Sequence, residues 1–554
     1  MTDKIIDSEA FGKLASSGAA GLKAKKQEVN DLNVFPIPDG DTGDNMYMTI
    51  NGGVNYLKSG NSGSVGAEAQ NLAKGMLLNA RGNSGVILSQ FFAGLASGLE
   101  GIEKATVSDF GRALTSGVRQ AYSAVVQPVE GTVLTVAREA VDYAVSRITD
   151  DTTVADLFTD CVAEMKRSLE RTPTLLEVLA EAGVVDSGGA GLLAIFEGML
   201  GASQGRAVDA APDESTGGSA IIDFSNFNEN STMTFGYCTE FLLQLQNSKV
   251  DAESFDVQVI IDYLSTVGDS IVAVKTGTVV KIHVHTMTPY KVLEFCHSFG
   301  EYLTVKIENM TLQHSETGEN FATNKQKKKK KRPHKEFALV TVAIGKGLVE
   351  TFSELGADIV IDGGQGKNPS IENFIDAFDE VNADHIFVLP NNSNIIMAAN
   401  QAKELFEGSD IHIIETKNFG EAYSILSMLD YSSKNAEQIA SDMREYMKAS
   451  VTGMITSSIR SVTLDGIDVK EGEYIGFTNK TMLASTPDKI ETFKLLTEKL
   501  DAKNKEFMIV FMGEDVTKCE RAAVEALASE QYKNLEFYAL DGGQEVYDFI
   551  IILE

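Results

Sequence analysis

Apolar side chains recur every three or four residues along the first part of the chain. The spacing is plain in Phe11-Leu14-Ala15, Leu72-Met76-Leu77, Phe110-Leu114-Val118-Ala121-Val125 and Val133-Val136-Ala140-Ala144. It lines one face of an α-helix. Glycine or proline interrupts it at Gly82, at Pro128 to Gly131, at Pro173 and at Ser187 to Gly189. Roughly eight helical segments follow over residues 1–203, the pattern of an all-helical bundle or barrel. Residues 204–220, rich in Gly, Ser, Ala, Asp and Pro, read as a linker.

The period then shortens. Over residues 221–322, Thr234 to Gln246 is strand-like and a helix is expected at about 252–265. Ser270 to Lys275 and Val279 to Thr286 read as a hairpin around Thr276-Gly277. A helix over Pro289 to Ser298 and a strand from Tyr302 to Leu312 complete a βαββαβ order. That is the ferredoxin-like split unit, an α+β domain in which the first and third strands are neighbours. A basic run at 323–335 marks the next boundary. Over 336–554, apolar strands (Phe337 to Ile344, Ile359 to Ile361, His385 to Leu389, Ile411 to Glu415, Phe507 to Phe511, Phe537 to Leu540) alternate with helices such as Ile395 to Phe406 and Lys518 to Leu527. Alternation of this kind predicts an α/β domain with a largely parallel sheet. Asp362-Gly363-Gly364-Gln365 is echoed by Asp541-Gly542-Gly543-Gln544, each expected between a strand and a helix.

Composition narrows the function. A chain of 554 residues should hold about three or four domains. It has no signal-like N-terminus and no apolar run long enough to span a bilayer, so a cytoplasmic location is expected. Four cysteines, at 161, 238, 296 and 519, are too scattered for a disulfide framework or a zinc ribbon. A net charge of −31 argues against general nucleic-acid binding. Lys325, Lys327 to Lys331, Arg332 and Lys335 run against that charge, as a solvated linker or a docking segment for an anionic surface.

The chemistry concentrates in Asn33-Val34-Phe35-Pro36-Ile37-Pro38-Asp39-Gly40-Asp41-Thr42-Gly43-Asp44-Asn45-Met46. Two prolines stiffen the approach to three crowded carboxylates, which need a counter-charge. An EF-hand is excluded, because its fifth and twelfth positions would fall on Gly43 and Ile50. Magnesium, which takes one or two carboxylates and completes its shell with water and phosphate, fits Asp39 and Asp41, with Asn33 or Asp44 as further ligands. Phosphates would need backbone N–H donors as well. Ala80-Arg81-Gly82-Asn83-Ser84-Gly85 and Val129-Glu130-Gly131-Thr132 are the candidate turns, and no Walker-type motif is present.

These stretches carry a resemblance. Asn33 to Met46 resembles the signature of the dihydroxyacetone-kinase nucleotide-binding (DhaL-type) family. Arg81 to Gly85, Pro128 to Leu134 and Val185 to Gly191 fall where that family keeps its other nucleotide contacts. The whole chain is similar to the ATP-binding subunits of bacterial fatty acid kinases, which join a DhaL-like, a middle and a DegV-like domain. Phe235 to Phe241, His283 to Thr286, Leu389-Pro390-Asn391-Asn392 and the two Asp-Gly-Gly-Gln elements extend the match. The resemblance implies an eight-helix barrel holding ATP through two magnesium ions. Asp39 and Asp41 match the metal carboxylates; Thr42, Asn45, Met46, Asn83, Ser84, Gly131, Thr132, Asp186, Ser187 and Gly188 match the nucleotide contacts. Arg171 lies near a phosphate-side arginine. Asp44 stands where threonine is usual, and Gly363 to Asn368 departs from the usual Gly-Gly-Gln-Thr-Met-Asn.

A second constellation sits in the middle domain. His283 and His285 lie two apart on one strand, Cys238 and Glu240 on another, so each pair shares a face. If the strands are neighbours, Cys238, His283 and His285 form either a zinc site with one open position or a satisfied core or surface group. The resemblance implies a catalytic cluster, whether by zinc or by transient phosphoryl transfer to histidine. It also implies the activity: phosphorylation of a fatty acid carboxylate, presented by a DegV-type fatty-acid-binding partner, to give an acyl-phosphate for phospholipid synthesis. A homodimer with at most peripheral membrane contact is the expected assembly. The alternatives are a dihydroxyacetone-type kinase, whose histidine-bound triose domain has no candidate segment here, and a non-catalytic lipid-sensing scaffold in which ATP is structural.

Overall fold

The computed structural model describes residues 4–33, 40–58, 63–206, 237–252, 254–276, 278–309, 332–364, 366–479 and 481–554. Asp39, most of the 204–220 linker, Lys325 to Lys331 and Gln365 therefore lie outside the described residues. The chain divides into two compact units, Met1–Ala211 with Lys329–Glu554, and Pro212–Lys328. Among the described residues no helix is long and apolar enough to cross a membrane.

Among the described residues the N-terminal region is helical apart from one short antiparallel pair, Ile5–Ile6 with Ala105–Thr106: α1 (Ser8–Asn30), α2 (Thr42–Lys58), α3 (Val65–Leu78), α4 (Gly82–Gly98), α5 (Val107–Ser123), α6 (Val133–Ser146), α7 (Val154–Leu175), the short α8 (Glu177–Ala182) and α9 (Ser187–Ser203). The periodic residues Phe110, Leu114 and Ala121 of α5 and Val136, Ala140 and Ala144 of α6 are buried in one core with Phe11, Phe91, Phe158 and Phe196. Helix starts are written locally: Thr106 with Asp109, and Thr153 with Asp156, close reciprocal capping boxes. α1 and α9 pack backbone to backbone, since a methyl group on Gly21 would strike the Ala194 carbonyl and the Gly198 backbone.

Two expected breaks are displaced, to Leu176 and to Gly183 through Asp186. Pro173 lies inside α7, and the Leu169 carbonyl left without its helical N–H partner accepts the Thr172 hydroxyl at 2.7 Å instead. Ser187 to Gly189 form the first turn of α9 rather than a loop, because Asp186 caps them through the Gly189 N–H at 2.6 Å.

The second unit has the expected split βαββαβ order. Its strands Tyr237–Leu245, Gly268–Thr276, Val279–Thr286 and Gly300–Asn309 form one antiparallel sheet with the first and third adjacent. Helices Gln258–Val267 and Pro289–His297 add Ile260, Leu264, Val292 and Cys296 to its core. Cys296 is thus a packing residue.

The C-terminal region begins at Lys335, the last residue of the basic run, and corrects the expectation of one largely parallel sheet. A four-stranded parallel sheet runs in the order Asp410–Ile413, Ala383–Leu389, Lys335–Ala343, Ile359–Asp362. A separate six-stranded sheet takes Thr481–Thr486, Tyr474–Thr478, Val451–Ser457, Phe549–Leu553, Phe507–Met512 and Glu536–Asp541, and only its last pair is parallel. Four of these strands are absent from the sequence expectation: none alternates cleanly, and glycine interrupts Val451–Ser457 at Gly453 and Tyr474–Thr478 at Gly476. The second Asp-Gly-Gly-Gln element leads into the strand Phe549–Leu553, not into a helix. Its Gln544 is drawn inward, donating from Nε2 to the Phe511 carbonyl at 3.0 Å.

In the parallel sheet, chain order and spatial order diverge around Lys335–Ala343, whose neighbours are the second and third strands. Loops at the carboxyl ends of such strands are the usual place for a ligand cleft. Here they are Gly363 to Asn368 and Asn391 to Asn394. They meet the helical region: Ala80 and Val86 share a core with Phe374 and Phe378, and the Ile371 N–H donates to the Ala80 carbonyl at 3.3 Å.

Candidate functional site

Four helices of 14 to 17 residues, α2, α4, α6 and α9, begin around one cavity of about 310 Å³. Their aligned dipoles make each N-terminus an anion-attracting end, although Asn30 already takes the Gly43 and Asp44 N–H groups and Asp186 takes that of Gly189. Thr42 and Asn45 line the cavity from α2, Asn83 and Ser84 from α4, Thr132 from the cap of α6, and Ser187 and Gly188 from α9. Ile87, Val125, Val133 and Leu134 add an apolar wall. The Asn83 Oδ1 is buried and has no hydrogen-bond partner among the described residues.

Asp41 and Asp186 are the two carboxylates of the lining. Burial pushes Asp41 up to about 6, against the hydrogen bond from Asn45, and with the Asp44 charge raising it further. Asn368 Nδ2, from the α/β region, donates to Asp41 Oδ2 at 2.5 Å. Asp186 is likewise raised to about 6 by burial, opposed by the backbone N–H groups of Gly189 and Val133. That one carboxylate thus ties the starts of α9 and α6 together.

Gly82 shows how tightly the corner is built. Its φ of +57° disfavours any side chain, and a methyl group there would lie 2.6 Å from Asn45 Nδ2 and 3.2 Å from Asn368 Nδ2. Next to it, Arg81 is mostly buried and donates from Nη1 to the Asn368 carbonyl at 2.7 Å. Desolvation holds its guanidinium below the usual range.

The other sequence candidates divide. Asn33 accepts the Thr42 hydroxyl at 2.9 Å and flanks the cleft. Asp44 turns toward α1: Lys26 Nζ lies 2.7 Å from one oxygen and Asn30 Nδ2 donates to the other at 2.7 Å. Met46 is fully buried beneath α9, against Gly191, and is core. Gly131 stands beside the cavity, its N–H given to Thr135 Oγ1 at 2.9 Å. Arg171 pairs with Glu139 at 2.6 Å and Glu164 at 3.4 Å and does not line the cavity. Asp39 lies outside the described residues. In the second unit the backbone register sets Cys238 opposite His285 and Glu240 opposite His283. The side chains of these four lie outside the described residues.

Sequence reasoning missed the opposite wall. Asn394 and Met397 of the α/β region close the cavity, and Asn368 reaches its carboxylate. A signal existed in Asn391-Asn392 and in the unusual Gly363 to Asn368 loop, but nothing local says what they face. Asn391 to Asn394 also border an adjoining cleft of about 750 Å³ that shares Asp41, Thr42, Ser187 and Asn394. Lys417 and Asn418 form its polar side; Phe419, Met454, Leu464 and Phe477 form an apolar floor.

Comparison with known proteins covers nearly the whole chain. Residues 36–201 match the DAK2 domain, 234–317 the middle domain of the FakA-like fatty acid kinase family, and 338–554 the C-terminal domain of the same family. Protein YloV of Bacillus subtilis is 36% identical over 561 residues, covering 100% of both chains. An uncharacterized protein of Staphylococcus epidermidis is 34% identical over 559 residues, covering 99% of each. Among solved structures, DegV, a fatty acid binding protein from Bacillus subtilis, matches 39% of this chain and 99% of its own, with 12% identity and a TM-score of 0.31. A dihydroxyacetone kinase from C. freundii in complex with AMP-PNP and Mg2+ matches 34% of this chain and 33% of its own, with 19% identity and a TM-score of 0.26.

Proposed function

The chain belongs to the FakA-like family of fatty acid kinase proteins, and from that premise we propose that it is the nucleotide-binding subunit of a fatty acid kinase. It would transfer the γ-phosphoryl group of ATP to the carboxylate of a fatty acid held by a separate fatty-acid-binding protein. The observation that carries this reading is the convergence of four helix N-termini on a cavity lined by Asp41 and Asp186 and, among the described residues, by no cationic side chain. The dipoles favour phosphate but cannot neutralise a triphosphate. A magnesium ion fits the oxygen-only donor set: Asp41, with Asp39 two residues before it, would hold it, and the ion would supply charge neutralisation at the β- and γ-phosphates. The apolar wall suits a base, and the unpartnered Asn83 Oδ1 offers an acceptor for a nucleotide N–H or O–H group.

The acceptor fits as well. A fatty acid carboxylate is ionised near neutral pH, like a glutamate with its ordinary pKa of about 4.3. Its attack therefore needs no general base, and no histidine lines the cavity among the described residues. The carboxylate oxygen forms a bond to the γ-phosphorus, the bond to the β–γ bridging oxygen breaks, and acyl-phosphate and ADP result. The adjoining cleft is the route of approach, with Lys417 as the charge that draws the carboxylate in. Cys238, His283 and His285 belong to the same proposal as a cluster required for turnover. The test is an ATP assay with and without a fatty-acid-loaded binding protein. ADP and hydroxylamine-trappable acyl-phosphate should form only with the partner; turnover of free dihydroxyacetone without it would sink the reading.

A further inference from the structure

The parallel sheet carries a cluster that the nucleotide site does not use. Its edge strand Asp410–Ile413 pairs in register with Ala383–Leu389, setting Asp410 beside His385, and His412 follows two residues on. Residues two apart on a strand share a face, so the three side chains project from one side of the sheet. Asp410 Oδ2 lies 3.2 Å from His385 Nδ1 and 3.0 Å from His412 Nε2, and the two ring nitrogens are 3.5 Å apart.

Those three separations describe one face of a small tetrahedron. Zinc bonds of about 2.0–2.1 Å to nitrogen and oxygen at tetrahedral angles put neighbouring ligand atoms ~3.3–3.4 Å apart. Hydrogen bonding accounts for the triangle less well. If both rings donate to the shared oxygen, their two N–H groups also face each other. The rings are held in place: His412 is buried and stacks on Phe387 at 5.2 Å, and His385 stacks on Phe337 at 5.5 Å. Asp410 is exposed, so the fourth position opens to water.

We propose that His385, Asp410 and His412 bind a divalent transition-metal ion of the zinc class, with one solvent position, pinning the edge strand to its neighbour. Two imidazoles and one carboxylate select zinc, cobalt or nickel over magnesium and calcium, which favour all-oxygen sets. The nearest sequence separation within the triad is one intervening residue, and the other partner is 25 positions away, so no linear motif announces it.

The test uses the full chain with Cys238→Ser, which removes the middle-domain thiolate, stripped by chelator and held in excess magnesium. Cobalt(II) titration should give one equivalent with visible d–d absorption, displaced by zinc, and zinc should raise the melting temperature. His385→Gln and Asp410→Asn should each weaken cobalt binding by at least about 10-fold and abolish the zinc-dependent melting shift. Their metal-free melting temperatures should match the parent, which separates ligand loss from misfolding. Cobalt uptake that is absent in the parent, or unchanged in both variants, overturns the proposal.

Discussion

The helical wall of the proposed nucleotide cleft takes its polar groups from helix starts, whereas the α/β wall takes them from loops at the carboxyl edge of a sheet. On the first wall, Thr42, Ser84, Thr132 and Ser187 sit where short local signals begin α2, α4, α6 and α9. On the second, Asn368, Asn394 and Met397 come from a different region of the chain, Asn368 lying 327 positions after the Asp41 it contacts. The helical wall brings charge and dipoles. The α/β wall brings neutral amides that orient what is already there. If that division of labour is right, substitutions on the first wall should abolish the chemistry, and those on the second should only loosen it.

The largest effect should come from Asp41→Ala. It removes the carboxylate proposed to hold the metal, so turnover with a loaded partner should fall by about 10³-fold or more. Because Asp41 is buried and its carboxyl is raised, the melting temperature should hold or rise. Full turnover in this variant would break the comparison at its strongest point.

Asp186→Asn comes next and tests the cost of the buried charge. With a folded pKa near 6 against about 3.9 unfolded, the native state holds its proton more tightly than the unfolded chain does. Asp186 therefore stabilises fully below about pH 4, and that contribution is lost as pH rises through 6. The ligand-free protein should lose up to about 2–3 kcal/mol from this group between pH 4 and 7. Asparagine caps a helix equally well, so the variant should be the more stable form at pH 7 and the difference should vanish near pH 4. Denaturant melts at both pH values read this directly; parallel pH profiles would refute it.

The contrast also explains what could be read from the chain alone. The helical wall was legible because caps, glycine turns and period-three-and-four patterns act within a few residues. Thr42, Asn45, Asn83, Ser84, Thr132 and Ser187 were all named on that basis and on the resemblance, and all line the cavity. Met46 lies in the core instead, because the helix turns it under α9, a matter of rotation that the motif does not encode. The split βαββαβ order was legible from alternation. The antiparallel half of the C-terminal region was not, since the period of two is shared by parallel and antiparallel strands and strand direction depends on distant pairing. Asn368 was invisible for the same reason: its partner, Asp41, is fixed by packing of Phe374 and Phe378 against Ala80 and Val86.

Asn368→Ala sharpens the comparison from the other side. It deletes the amide that donates to Asp41 and opens a gap beside Gly82. A hydrogen bond to a charged group contributes about 1.5–3 kcal/mol. A bound metal would take over part of that role, so about a 10-fold rise in KM for magnesium–ATP is expected, with kcat changed little. Steady-state kinetics separate the two parameters. A loss of kcat as deep as that of Asp41→Ala would make the α/β wall a second catalytic wall, and the distinction would fail.

Asp44→Asn should give the smallest effect, although only two residues separate Asp44 from Asp41 and both belong to one acidic turn. The difference lies in what each carboxylate meets. Asp41 faces the cavity, whereas Asp44 gives one oxygen to Lys26 and the other to Asn30 on α1, with about a third of its side chain exposed. Asparagine keeps an acceptor for Asn30 and loses the ion pair and the acidic charge in the first turn of α2. A partly exposed pair contributes about 0.5 kcal/mol and a first-turn acid a similar amount, both screened by salt. The variant should therefore melt slightly lower at low ionic strength, approach the parent in high salt, and keep turnover within about two-fold. A thousandfold loss of turnover would return Asp44 to the metal. It would also mean that Lys26 and Asn30 release it when nucleotide binds, so that the helical wall rearranges rather than standing ready.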